Sequence, residues 1–282
     1  MKILVKKIAT ISLAVIACVG LAACSNKDTA EESGKEKIKI GCFPSTDQLP
    51  TILKESLADK YDIELVMFDG NNMPCEALSA KEIDAVVGNG DKWLDNFNKE
   101  NETDLVMVDP YYSHFSGLYS DKYESIEEFP QNAKIAIAND PMNTNNALKL
   151  LQNAKMIKLS DSPSNGELFS KMDIVENDKN LEFIQMDLTM IAKNLGDVDG
   201  AVTSAVLIQE AGRDPLEFLA LPQKEDLQKV GLIVHADNKD KQWVKDAIEV
   251  SHTKENSEKL MKDLNGTAVL LDKIDEFYAQ NK

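Results

Sequence analysis

Residues 139–151 read NDPMNTNNALKLL. A short apolar run, Lys134-Ile135-Ala136-Ile137, leads in, and helical spacing follows. A strand that passes through a polar turn into a helix often holds a small anion in α/β proteins, because the first helical amides point at it. An arginine commonly completes such a site, since its two-pronged cation matches a carboxylate. Here the turn offers Asn139, Asn143, Asn145, Asn146 and Thr144, and the first cation is Lys149. Asn143 reads as the helix cap, a role compatible with free amides beside it. The stretch therefore suits a weak anion or a carbonyl, held by amides without a permanent charge.

Other chemistry is sparse. His114, His235 and His252 lie far apart, and none stands in metal-ligand spacing. The chain carries no phosphate-binding loop, no GxSxG elbow and no HExxH. Its acids are spread over helical stretches, the pattern of a solvated surface. No catalytic residue, cofactor or metal is expected.

The N-terminus places the chain. Lys2, Lys6 and Lys7 form a basic start, residues 8–23 are almost wholly apolar, and Leu21-Ala22-Ala23 precede Cys24. A charged start, a short apolar core and small residues before a cut describe a secretory signal over residues 1–23, too short for a comfortable membrane span. The cysteine after the small residues resembles a bacterial lipobox, which makes Cys24 the acylated first residue of the mature chain. Residues 24–37 are polar and charged and read as a flexible tether. The expected location is the extracytoplasmic face of the cell membrane, reached through the lipid anchor. Removal of three lysines takes the net charge from −17 to −20. Such an acidic body argues against nucleic acid as a partner. Cys18 leaves with the signal. Cys42 and Cys75 remain, either paired or as plain buried side chains.

From Ile38 onward, short apolar runs alternate with helical stretches. Strands are expected at IKIGCF, IELVMF, IDAVVG and DLVMVD, then at residues 134–138, 181–186, 200–203 and VGLIVHAD. Helices are expected between them, including residues 49–60, 91–99 and 143–154, and at the C-terminal end. This alternation predicts an α/β fold of two lobes, each a mostly parallel sheet flanked by helices. Residues 38–110 with 224–282 form lobe one and residues 111–223 lobe two, leaving a cleft that closes by hinge bending.

Several strings resemble one family. EALSAKEIDA, LDNFNKENETDLVMV, GLYSDKYESIEEFP, IAIANDPMN, DVDGAV and QEAGRDP are similar to the methionine-binding lipoproteins of ABC importers. The resemblance runs from Ile38 to Pro215 and more loosely to the C-terminus. It implies a type II periplasmic-binding-protein-like fold, with an ABC permease and an ATPase as partners. The ligand positions depart from the family's pattern. Trp93 stands where a tyrosine is usual, Gly90 where a histidine is usual, and Gly88 replaces an aromatic. Asn146 occupies the place of the arginine that clamps the ligand carboxylate. Ser204 and Val206 replace an asparagine pair. The lost arginine removes a charge-assisted bond of about 1.5–3 kcal/mol, so the solute is expected to be bound through a group weaker than a free carboxylate.

Asn89, Trp93, Tyr112, Phe115, Asn143, Asn146 and Ser204 are the candidate ligand contacts. Packing competes with stacking for Trp93, hinge packing competes for Tyr112 and Phe115, and helix capping competes for Ser204. The function expected is that of a membrane-anchored solute-binding lipoprotein of an ABC importer, taking a methionine-like amino acid or derivative. The alternative is a surface interaction or sensor lipoprotein that keeps the fold without transport.

Overall fold

The computed structural model describes residues 34–70 and 72–281. The signal, the Cys24 lipidation site and most of the tether lie outside the described residues.

The first half of the chain alternates strand and helix as its hydropathy dictates. β1 (Glu36–Cys42), α1 (Gln48–Ser56), β2 (Tyr61–Met67), α2 (Met73–Ser79), β3 (Ala85–Val87), α3 (Asp91–Asn101) and β4 (Leu105–His114) follow in order. After a single residue the chain enters β5 (Ser116–Tyr119), then β6 (Lys134–Ala138) and α4 (Pro141–Asn153). A small hairpin, β7 (Lys158–Leu159) with β8 (Ile174–Glu176), precedes β9 (Glu182–Met186) and α5 (Leu188–Ile191). β10 (Gly200–Ser204) and α6 (Ala205–Glu210) complete that region. The chain returns through β11 (Val230–His235), α7 (Gln242–Ser251), α8 (Lys254–Leu264), β12 (Ala268–Leu270) and α9 (Ile274–Gln280).

These strands build two main sheets, the two-lobed α/β architecture expected. The first has the order β12-β4-β11-β3-β1-β2, the second β5-β10-β6-β9. In the first sheet β1 pairs in parallel with β2 and β3, while β11 is antiparallel to both β3 and β4. The pairings leave β1 to β4 pointing one way and β11 and β12 against them. The reason is the route: β11 arrives from the second lobe and is inserted between β3 and β4 from the opposite end. The second sheet has two parallel pairings and one antiparallel pairing with β5. β5, β12 and the β7–β8 hairpin were not expected; each has at most four residues, too few to show a period.

Both sheets are covered on both faces. Ile38, Ile40, Leu49, Ile52, Trp243 and Leu260 share one apolar cluster of the first lobe, and Leu78, Val86, Leu94, Phe97 and Ile233 another. Ile135, Ile137, Leu148, Leu151 and Val202 form the main cluster of the second. Both passages between the lobes start or end on neighbouring strands: the chain leaves after His114 on β4 and comes back at Val230 on β11. β4 extends to His114, so Pro110 and the Tyr111–Ser113 segment belong to the first sheet. Behind the passages, α9 supplies Phe277 and Tyr278, which pack on Phe115, Phe218 and Leu227. Tyr278 also donates to the Pro222 carbonyl at 2.9 Å.

The β4–β11 ladder is irregular at Val230–Gly231. Gly231 is pressed onto β4 so closely that a Cβ would stand 1.7 Å from the Asp109 carbonyl oxygen and 2.9 Å from the Pro110 Cα. Those atoms are backbone and cannot rotate away. Gly231→Ala is expected to destabilise the protein by about 3 kcal/mol, read as a lower urea midpoint, with Gly196→Ala, exposed and meeting only the Asp121 carboxylate at an ordinary 3.7 Å, as the control.

Candidate ligand-binding cleft

The helix that prompted the sequence question begins two residues earlier than its spacing implied. Asp140, extended in conformation, is its cap: its carboxylate accepts the Asn143 amide at 2.9 Å and the Asn143 side-chain amide at 3.0 Å. Thr144 donates its amide to the Asp140 carbonyl at 2.9 Å and its hydroxyl to the Ala138 carbonyl at 2.8 Å. The helix end therefore already holds an anion, the chain's own Asp140, which suits the positive end of the helix dipole. Asn143 is not the cap, and the expectation of free helix-end amides from Asn143 to Asn145 is corrected at Asn143 and Thr144, whose amides Asp140 takes. Asn145 is buried and accepts the Phe169 amide at 2.9 Å.

What faces the space between the lobes is a stripe of side chains. Asn143, Asn146, Lys149 and Leu150 recur at helical spacing and line one cavity of about 270 Å³. Its opposite wall is Gly88, Gly90, Gln228 and Val230, from the first lobe. His114 and Ser116, on either side of the passage, form its floor, and Asp226 joins Lys149 in an ion pair. A second cavity of about 600 Å³ shares Gly88 and His114 with the first. It lies between Phe43, Thr46 and Phe68 on one side and Thr189, Ser204 and Val206 on the other. The cleft is thus continuous, and its larger part is the more apolar.

Two glycines shape the first-lobe wall. Gly88 has a φ of +147°, a conformation that side chains disfavour, and a Cβ there would stand 2.6 Å from the Phe43 ring. A Cβ on Gly90 would stand 2.4 Å from the Gln228 side-chain oxygen. The space left by the small residues at positions 88 and 90 is therefore filled, by Phe43 and Gln228 from other parts of the chain. Neither substitution is legible in sequence, since Gln228 lies more than a hundred residues from Gly90.

Of the residues singled out, Asn143, Asn146 and Ser204 line the cleft. Ser204 also caps α6, accepting the Val206 amide at 3.2 Å. The others lie elsewhere. Tyr112 is fully buried in the first-lobe core, because β4 is an interior strand covered on both faces, and its hydroxyl has no partner. Tyr111 is buried too, donating to the Ser251 carbonyl at 2.6 Å. Phe115 is buried between Phe218 and Phe277 behind the hinge. Trp93 stacks on Phe97, centroids 5.2 Å apart, against a first-lobe cluster. Asn89 points inward, 3% exposed, and accepts the Cys75 thiol at 3.6 Å. Cys42 and Cys75 are both free and buried, and burial raises their thiol pKa values to about 11 and about 12. Lys149, His114, Gln228 and Asp226 were missed as cleft residues. Only Lys149 left a signal, its spacing of three from Asn146.

The geometry matches a family. The NlpA lipoprotein model covers residues 38–270. The chain belongs to the NlpA lipoprotein family. The D-methionine-binding lipoprotein MetQ of Salmonella typhimurium is 32% identical over 262 residues, covering 91% of this chain and 94% of its own. A YaeC-family lipoprotein of Enterococcus faecalis V583 superposes with a TM-score of 0.72 at 28% identity, over 84% of this chain and 100% of that one. A nutrient-binding protein of Burkholderia cenocepacia, solved bound to methionine, gives 0.69 at 29% identity over 83% and 99%. Like other NlpA lipoproteins, this one is a solute-binding protein and not an enzyme. Among the described residues no helix is long and apolar enough to cross a membrane.

His114 is the titratable group that ties both cavities together. Burial lowers its pKa, partly offset by its ring nitrogen Nδ1 bonding the Thr267 carbonyl at 3.2 Å. The unfolded chain takes up this proton near pH 6.5 and the folded chain only at lower pH. Between those values the unfolded state binds more protons, so stability falls as pH drops. Melting temperature from about pH 6.5 to about pH 5 should therefore fall more steeply in the wild type than in His114→Gln.

Proposed function

We propose that this NlpA lipoprotein is the solute receptor of an ABC importer and takes a methionine-like amino acid or derivative into the interlobe cleft. The observation that carries the reading is the small cavity lined from both lobes, where the Asn143–Asn146–Lys149 stripe faces the Gly88–Gly90 wall. Its volume of about 270 Å³ suits the polar end of an amino acid, and the adjoining apolar cavity suits a thioether side chain. The MetQ relatives and the methionine-bound Burkholderia protein support the solute class. The permanent charge of the missing arginine is replaced, one turn along α4, by Lys149. That cation is already paired with Asp226, so a solute carboxylate must share it, and the polar end is held more weakly than by a free arginine.

Domain motion about the β4 and β11 passages would convert occupancy into a surface that the permease reads. The division into residues 38–110 with 224–282 and residues 111–223 is the hinge geometry we adopt for that motion. Its first boundary moves to Phe115, since β4 runs to His114. Cys24 anchors the receptor to the extracytoplasmic face through its acyl chains, and the acidic tether residues let the body reach the permease.

A melting-shift series with methionine, methionine sulfoxide and short methionine peptides tests the reading. A bound solute at a hundred times its Kd stabilises by roughly 2.7 kcal/mol. Asn146→Ala and Lys149→Met should each weaken the best solute about tenfold or more, with unliganded melting curves showing that both variants fold. If none of the series raises the melting temperature, the solute class is wrong. In the native bacterium, Cys24→Ala should move the protein from the membrane fraction to the soluble one.

A further inference from the structure

A single carboxylate and a single ammonium line the smaller cavity, and they are paired with each other: Asp226 and Lys149. Neither is sealed off. Their side chains are 22% and 35% exposed, so both charges are open to a third body in the cavity. Lys149 belongs to α4 of the second lobe. Asp226 lies on the return segment, which is fastened to the first lobe. There Lys92 of α3 donates to the Glu225 carbonyl at 2.9 Å, and Asp91 and Lys229 exchange two bonds, each of 3.0 Å. The two charges therefore come from opposite lobes.

Each charge keeps bonding capacity in reserve. Asn146, one turn before Lys149, accepts the Asn145 side-chain amide at 3.1 Å through its oxygen, which leaves its own amide nitrogen as a donor on the cavity-lining face of α4. Asp226 meets Lys149 through Oδ1, and its Oδ2 makes no hydrogen bond among the described residues. The cavity thus has a positive donor end and a negative acceptor end that cancel. A simple anion meets the carboxylate, and a simple cation meets the ammonium. Only a molecule carrying both signs satisfies both ends without leaving a desolvated charge unpaired.

We propose that Asp226 is a specificity-determining residue of this receptor: the solute inserts into the Lys149–Asp226 pair, its ammonium on Asp226 and its carboxylate on Lys149 and Asn146. The inference rests on the solute-receptor reading and adds that the recognised head is a zwitterion, held by both of its charges. The mutual bond of the pair gives way to two charge-assisted bonds. Each of these joins the solute to a different lobe, so the head group itself draws the receptor closed. A purely structural ion pair predicts a different sign: removal of Asp226 then frees Lys149, and every solute with a carboxylate binds more tightly.

Calorimetric titration of methionine, its decarboxylated amine and its deaminated acid tests the proposal, with leucine as a second zwitterion. The wild type should bind methionine about tenfold or more tighter than either single-charge analogue. Asp226→Asn should weaken methionine about tenfold or more and tighten the deaminated acid, whose carboxylate gains an undivided Lys149. Lys149→Met should give the mirror image, with methionine weakened and the amine tightened. Asp226→Glu keeps the charge and should fall between the wild type and Asp226→Asn. Unliganded melting curves establish that the variants fold, and the wild-type ranking needs no variant.

Methionine bound by Asp226→Asn as tightly as by the wild type, or more tightly, overturns the assignment and leaves the solute-receptor reading in place. The deaminated acid matching methionine on the wild type overturns it in the same way. Leucine bound with this dependence on Asp226, while methionine fails to bind, sinks the methionine-like reading alone. Failure of all four probes on the wild type overturns both.

Discussion

The pairing of β4 with β11 is the contact on which the molecule turns. Each strand is both an interior member of the first sheet and the end of a passage to the second lobe. Two passages set side by side form a hinge that bends along one direction and resists others. The pairing demands an almost bare backbone at Gly231, because the Asp109 carbonyl occupies the place of a side chain. The C-terminal helix then packs against both passages through Phe277 and Tyr278. A helix far away in sequence thus belongs to the hinge, and Phe115 is an aromatic of that hinge and not of the cleft.

The cleft inherits its chemistry from this arrangement. His114 sits where β4 ends, so the residue that begins the passage also forms the cleft floor. Asp226 sits just before β11 and meets Lys149 from the second lobe. An ion pair that joins the return segment to α4 is partly shielded here, and its value lies in orientation more than in stability. It leaves a cavity with both signs of charge and no net charge, different from an arginine clamp although built on the same helix.

The positions at which the sequence resemblance implied a different ligand pattern have neighbours that fill them in space. The glycines at positions 88 and 90 look like losses in a sequence. In the fold each leaves a notch, filled by Phe43 in one case and Gln228 in the other. The arginine absent at position 146 is followed one turn later by Lys149 on the same helix face. Compensation of this kind preserves volume and polarity while changing which atoms meet the solute, which is how related receptors come to differ in specificity.

Much was determined by the sequence alone. The alternation of apolar runs and helical stretches fixes the α/β class, since a period of two or of 3.6 must place its apolar side inward. The polar turn at residues 139–146 fixes a helix start, since asparagine, aspartate and proline compete for caps and first turns. The tertiary structure decided the rest. It gave the cap to Asp140, because only that carboxylate reaches the Asn143 amide. It turned Tyr112 and Phe115 inward, because β4 acquired neighbours on both sides and α9 came to lie behind the passage. It brought His114, Lys149, Asp226 and Gln228 to one cavity from three separate segments. Local pattern carries no information about such meetings, because they depend on which strand is inserted beside which, and β11 enters from the far lobe.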